Sequence, residues 1–184
     1  MSGFTVALLV CIGLIALAAI PFMLLARRDF ARMGRWSWPV AILSGVLMHG
    51  LALSVLGLAL SDRGSLYAVS PLSLAAGLTL AGAGWWMIHL GRRQYGSRAR
   101  VYGLREDELI EQGIYRRSRN PQYVGYFGLM LGSALAAGSI LALGGAIVFA
   151  AFIHVFITWV EEPHLRREFA NAYLAYCGRV RRYL

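Results

Sequence analysis

The stretch GIYRRSRNPQYVGYFG, Gly113 to Gly128, sets an arginine, an asparagine and a proline where a basic segment gives way to an apolar one. Asn is a favoured N-cap and Pro is favoured at the first helical position, so Arg119-Asn120-Pro121 predicts a helix start at a membrane surface. The free N–H groups and positive dipole end of such a helix suit a carboxylate or phosphate. Arg119 can add a bidentate contact to the same anion. The plainer reading is that a helix has to begin somewhere and the arginine marks the inner side. A second set of reactive groups, Glu161 and Glu162, closes the apolar hairpin that begins at Pro121. Carboxylates at the edge of a span are costly unless hydrated or paired. Facing inward, such an acid can hold a cationic group, a sulfonium for instance, or accept a proton. A structural salt bridge to Arg119 or Arg166 is the competing use. Arg119, Glu161 and Glu162 are therefore the candidate catalytic residues.

Other polar residues in apolar surroundings have simpler readings. His49 and His154 lie near the middle of apolar runs, as proton carriers or, at lower cost, as hydrogen-bonding links between helices. Trp85, Trp86 and His89 approach an interface where aromatic belts are expected. The fragment Gly82-Ala83-Gly84 lacks the third glycine of a dinucleotide fingerprint and follows no strand. No GxSxG elbow is present, and no CxxC or His/Cys cluster has metal-ligand spacing.

The elements that must position these groups are membrane helices. The 184 residues are 58% hydrophobic, with a mean hydropathy of +0.58, which excludes an ordinary soluble domain. A bilayer core about 30 Å thick needs roughly 20 helical residues. Runs of that kind extend from Phe4 to Ala26, Trp38 to Leu60 and Tyr67 to Leu90, followed by a hairpin from Pro121 to about Gly138 and from Ile140 to Val160. The expected fold is all-α and polytopic, with about five spans, a short first hairpin arm and an amphipathic C-terminal tail. Residues 1–90 read as a three-span scaffold and 91–184 as a cofactor-binding region within one structural unit.

Net charge is +9 and every basic residue is arginine. The arginines follow topology rather than a nucleic-acid footprint: Arg27, Arg28, Arg32 and Arg35 after the first run, Arg92 to Arg119 before the hairpin, Arg166 to Arg182 in the tail, and only Arg63 on the other side. The positive-inside rule then places the N-terminus outside and the C-terminus in the cytosol, in keeping with a bacterial inner membrane. The first run lacks a basic n-region, is too long for a signal peptide and is followed by a basic loop. Cys11 and Cys177 are too far apart for a disulfide. Gly77, Ala81 and Gly84, and again Gly125, Gly128 and Gly132, permit close helix packing in lipid, or alternatively let a ligand approach the backbone. EDELIEQG, ending at Gly113, reads as a short amphipathic helix or turn. Leu165, Phe169, Tyr173 and Tyr176 recur at helical spacing among arginines, giving a tail that lies along the membrane or over the site.

These residues together resemble the isoprenylcysteine carboxyl methyltransferase family and its relatives among phospholipid methyltransferases. The resemblance rests on Leu109, Ile110, Gly113, Tyr115, Arg119, Asn120, Pro121, Tyr123 and Gly125, then Glu161, Glu162, Leu165, Phe169, Tyr173 and Tyr176, in conserved order and spacing from about Asp107 to Val180. It implies an integral-membrane methyltransferase that uses S-adenosyl-L-methionine without a soluble nucleotide-binding domain. It further implies a cytosol-facing cofactor pocket and a lipophilic or lipid acceptor entering from the bilayer. Carried over by position, Asp107, Glu108, Leu109, Ile110, Tyr115, Asn120, Pro121, Gln122 and Tyr123 line the cofactor pocket and Glu161 contacts the cofactor. Asn120 stands where those enzymes carry histidine, Ile157 where they carry an arginine for a substrate carboxylate, and Ala170 where they carry glycine. Membrane lipids are the expected partners, and nucleic acid is not. A prenylcysteine-type carboxylate or another lipid would be the acceptor. The alternatives are a phospholipid N-methyltransferase and an NADPH-dependent membrane reductase of the steroid-reductase type.

Overall fold

The computed structural model describes residues 1–105 and 108–184. Its long helices are α1 (Gly3–Met33), α2 (Trp38–Ser61), α3 (Pro71–Arg93), α5 (Pro121–Ala137), α6 (Ile140–Phe156) and α7 (Glu162–Arg179), with a short α4 (Arg98–Val101) between α3 and α5. No strand occurs among the described residues. Four helical stretches are long and apolar enough to cross a membrane: α1, α2, α3 and the stretch from Ile140 to Arg179. The hairpin arm α5 has 17 residues, about 25 Å at 1.5 Å per residue, and falls just short of a full span.

Local signals set the helix ends. Ser2 and Ser70 accept hydrogen bonds from Thr5 and Ser73 amides, and Ser70 with Ser73 forms a capping box. Helix α1 outruns its apolar stretch by seven residues, to Met33, because Arg27, Arg28 and Arg32 are good helix formers with charged heads that reach water. Helix α3 starts at Pro71 rather than Tyr67. The Tyr67 hydroxyl instead donates to the Leu135 carbonyl, tying the incoming chain to α5. Glu106 and Asp107 of the acidic segment lie outside the described residues. Residues 108–112 are irregular, and Gly113 (φ +58°) opens a 3₁₀ turn, Gly113–Arg116, instead of ending a helix. A Cβ there would lie 2.6 Å from the Gln94 side chain.

Packing in lipid relies on close approach rather than on hydrophobic exclusion, and the small residues supply it. A Cβ built on Gly84 would lie 2.5 Å from the Gly125 carbonyl oxygen and 2.5 Å from the Leu129 amide. One on Gly132 would lie 2.4 Å from the Ala81 amide. Helices α3 and α5 thus touch backbone to backbone, so these glycines serve helix packing. On the other flank, Leu51, Val55 and Leu58 of α2 pack against Met130 of α5 and Phe149 and Ile153 of α6. A second cluster, Phe22, Phe30, Trp36 and Phe156, joins α1 to the end of α6. Bulky side chains such as Leu14, Leu17 and Ile20 face outward, as lipid contact requires.

Opposite the arginine-rich end, Asp62 fastens α2 to the hairpin tip. Its carboxylate accepts from Ser139 Oγ (2.8 Å), Ser65 Oγ (2.6 Å) and the Leu141 amide (3.0 Å). Partial burial pushes its carboxyl up, but these hydrogen bonds outweigh that effect and hold it below the ordinary 3.8.

Helix α6 runs into α7 through a wide π-helical turn, Ile157–Glu161. Pro163 explains the interruption: it has no N–H to give the carbonyl four residues back, and its ring crowds that carbonyl. Further along, Ala170 adopts φ 42°, ψ −118° and breaks α7 in two. A residue with a Cβ is strained there, whereas glycine is at ease. Replacing Ala170 by glycine is expected to raise stability by about 1 kcal/mol. Thermal unfolding in detergent checks this, and a fall in the midpoint would refute the assignment of strain.

Candidate functional site

The reactive residues converge at the arginine-rich end, where the C-terminal ends of α1, α3 and α6 meet the N-terminal ends of α2 and α5. Asn120 occupies the N-cap position of α5, as its sequence predicts, but its side chain does not cap the helix. Its Nδ2 donates instead to the Arg182 carbonyl (3.0 Å), while the Arg119 amide donates to the Arg181 carbonyl (2.9 Å). The first turn of α5 is thereby tied to the last residues of the chain, and its amides are not covered by the cap side chain.

Glu161 and Glu162 separate in space. Glu162 is 4% exposed and surrounded by guanidinium groups: Arg182 donates through Nε and Nη2 (2.8 and 3.0 Å), Arg119 stands at 3.2 Å and Arg166 at 3.8 Å. The same Arg119 Nη1 reaches the Tyr173 hydroxyl (3.1 Å) and Cys177 Sγ (2.6 Å). This network ties α7 to the chain just before α5. Tyr176, also from α7, donates to the Tyr115 carbonyl at 2.7 Å, so the tail covers the site. Glu161 points elsewhere, onto the wall of the cavities, with the Tyr123 hydroxyl hydrogen-bonded to it.

Two cavities meet here. The larger spans about 1030 Å³ of space that opens to solvent. Phe22, Phe30, Trp36, Met48, Phe152 and Phe156 form its apolar side, and Arg92, Gln122, Tyr123 and Tyr126 its polar side. The smaller, about 530 Å³, lies against Glu108, Leu109, Ile110, Leu165 and Tyr176. Tyr95, Tyr115, Arg119, Asn120 and Glu161 line both and form the shared wall.

The predicted cofactor residues divide between these spaces. Glu108, Leu109 and Ile110 line the smaller cavity only, as does Glu162, while Gln122 and Tyr123 line the larger only. Tyr115, Asn120, Arg119 and Glu161 belong to both, and Pro121 is buried at the helix start beneath them. Asp107 lies outside the described residues. Gln122 Nε2 donates to the Tyr115 hydroxyl at 3.1 Å, which links the two sets across the wall. The two central histidines make hydrogen bonds: His49 Nδ1 to the Gly45 carbonyl (2.8 Å), and His154 Nδ1 to the Tyr183 hydroxyl (2.8 Å).

Sequence reasoning passed over Trp36, Arg92, Tyr126 and Arg182. Arg92 Nη2 donates to the Tyr126 hydroxyl across 34 positions of sequence (2.7 Å), and Arg182 reaches Glu162 across 20. Neither pairing has a local periodicity that could announce it.

Comparison with known proteins adds an independent line. No curated protein and no solved structure matches the chain. The family model of phospholipid methyltransferases matches residues 72–172, from the start of α3 into α7, and includes every residue of the shared wall. With a match over more than half its length, this all-helical membrane chain belongs to the phospholipid methyltransferase family.

Proposed function

We propose that the protein transfers a methyl group from S-adenosyl-L-methionine to a lipophilic acceptor at the cytosolic face of a bacterial inner membrane. The observation that carries this reading is the pair of cavities, the larger with a phenylalanine-lined apolar side, meeting at Glu161, Arg119, Asn120 and Tyr115 inside the family-matched stretch. The distribution of arginines supports the orientation, with the site and the C-terminus in the cytosol.

The smaller cavity suits the cofactor. The Tyr115 and Tyr176 rings offer aromatic faces to a purine. The first turn of α5 offers backbone amides and a positive dipole to a carboxylate, and Glu161 offers a negative charge to a positive centre. When bound, S-adenosylmethionine supplies a methyl group already activated on a sulfonium. The protein's own part is then mainly positioning. Glu161, steadied by Tyr123, marks the boundary between the cavities. Glu162 holds Arg119 and the covering tail in place. The phenylalanine-lined side of the larger cavity keeps water from the acceptor. An amine acceptor, the kind that fits the family's phospholipid description, would release a proton, and Glu161 is the group on the wall able to take it.

Calorimetry on the detergent-solubilised protein tests the reading. The wild type is expected to bind S-adenosylmethionine, with Glu161→Gln weakening the affinity at least about tenfold, the size of one charge-assisted interaction. NADPH should bind no better than a background nucleotide. Unchanged affinity in the glutamine variant, or tighter binding of NADPH, would remove this assignment.

A further inference from the structure

The larger cavity contains a cation that the methyl-transfer scheme does not use. Arg92, at the last turn of α3, lines it beside Tyr126 and His49. The neighbouring arginines have carboxylate partners: Arg119 has Glu162 (3.2 Å) and Arg100 the exposed Glu108 (3.2 Å). Among the described residues no carboxylate pairs with Arg92. Its Nη2 donates to the Tyr126 hydroxyl, while its Nε is buried without a hydrogen-bond partner. Tyr126 in turn stands 3.5 Å from His49 Nε2, so a polar line runs from the surface inward. Trp36, 7% exposed, lines the same cavity, and its Nε1 is likewise buried without a partner. Arg92 is half-buried, its charge lacks a carboxylate partner among the described residues, and a buried donor lacking an acceptor costs its desolvation.

The surroundings say what completes the arrangement. Helices α2 and α3 both pack on α5 but have little packing with each other. The cavity is lined from both sides of that gap, by Ser44, Met48 and His49 of α2 and by Arg92 of α3. His49 is eleven residues into α2, about 16 Å along its axis and so near the bilayer centre. The space therefore runs from the surface to the mid-membrane, polar at Arg92 and aromatic along α1 and α6.

We propose that Arg92 anchors the anionic group of an amphiphilic acceptor, a phosphate or carboxylate, whose chain lies in the gap between α2 and α3. Arg92 is then a specificity-determining residue and Tyr126 the group that orients it. This rests on the methyl-transfer reading for the word acceptor, but the anion site itself does not.

The test uses the full-length protein in neutral detergent with a dansyl-labelled undecanoic acid and its methyl ester as probes. The acid is expected to bind at least about tenfold more tightly than the ester, the worth of one charged hydrogen bond. Dodecyl phosphate should compete, and inorganic phosphate at the same concentration should not. Arg92→Gln should erase the preference for the acid, Arg92→Lys should keep part of it, and Arg93→Gln, on the exposed neighbour, should leave it intact. S-adenosylmethionine affinity should be unchanged in Arg92→Gln, with thermal unfolding showing that the variant is folded. Equal binding of acid and ester by the wild type would overturn the proposal, as would a preference that survives Arg92→Gln. Inorganic phosphate competing as well as dodecyl phosphate would overturn its lipid component. A fall in S-adenosylmethionine affinity in Arg92→Gln would overturn it by moving Arg92 to the donor side. An acid preference in a wild type that binds no S-adenosylmethionine would uphold the anion site while sinking the methyl-transfer reading.

Discussion

Replacing Glu162 by glutamine is expected to destabilise the protein by about 3 kcal/mol, the usual cost of removing one partner from a buried ion pair. Glu162 is 4% exposed and the side chain of Arg119, its least exposed partner, is 11% exposed. With the negative charge gone, Arg119, Arg166 and Arg182 would face one another around a neutral amide. The damage should be local before it is global. The Arg182 guanidinium fixes the end of the chain to Glu162, and the Arg181 and Arg182 carbonyls fix it to Arg119 and Asn120 at the start of α5, so the segment after the Ala170 break should loosen first. Limited trypsin digestion is the direct measurement, because Arg179, Arg181 and Arg182 are all cleavage points there. Faster cleavage at these positions, with weaker S-adenosylmethionine binding through loss of the placed Arg119, is the expected result. A variant with wild-type unfolding and wild-type protection of the tail would show that the three arginines do not depend on this carboxylate.

The second large effect belongs to a residue with no side chain. Gly84→Ala should cost about 2–3 kcal/mol, at the upper end of what one inserted methyl costs in a tightly packed interior. The added carbon meets Gly125 and Leu129 backbone atoms at 2.5 Å, and backbone cannot rotate away as a flexible side chain can. Gly82→Ala is the matched control: two positions earlier on the same helix, its Cβ meets nothing within 4 Å. That change should be neutral or stabilising by up to about 1 kcal/mol through helix propensity. Unfolding of both variants in the same detergent decides the matter. Equal behaviour would mean that α3 and α5 are not in backbone contact.

Local chemistry was readable in the chain to the extent that it was local. Asn120-Pro121 announced the start of α5 because capping and φ restriction act within two residues. The apolar runs announced the helices because length and hydropathy suffice in a bilayer. The stripe of Gly77, Ala81 and Gly84 announced a close contact, though not that its partner would be Gly125, Gly128 and Gly132. The function of Asn120 was only half legible: the helix begins where expected, yet the side chain bonds to Arg182, 62 residues away. The division between Glu161 and Glu162 was not legible at all. It depends on tail arginines and on a wide turn whose cause, Pro163, follows the pair. The extra length of α1 was missed because hydropathy ends where the arginines begin, whereas helical propensity does not.

The π-helical turn at Ile157–Glu161 has an evolutionary consequence. Such a turn is an α-helix with one residue too many, and the surplus is absorbed within a single loop of the ladder. The flanks keep their angular alignment, so the lipid-packed face of α6 and the docking face of α7 are set as though the insertion had never occurred. A lineage could gain or lose that residue without rebuilding the bundle. What changes is the bearing of the carboxylates beside it. Scaffold and chemistry in this chain can thus diverge at different rates, with a one-residue insertion as the step that separates them.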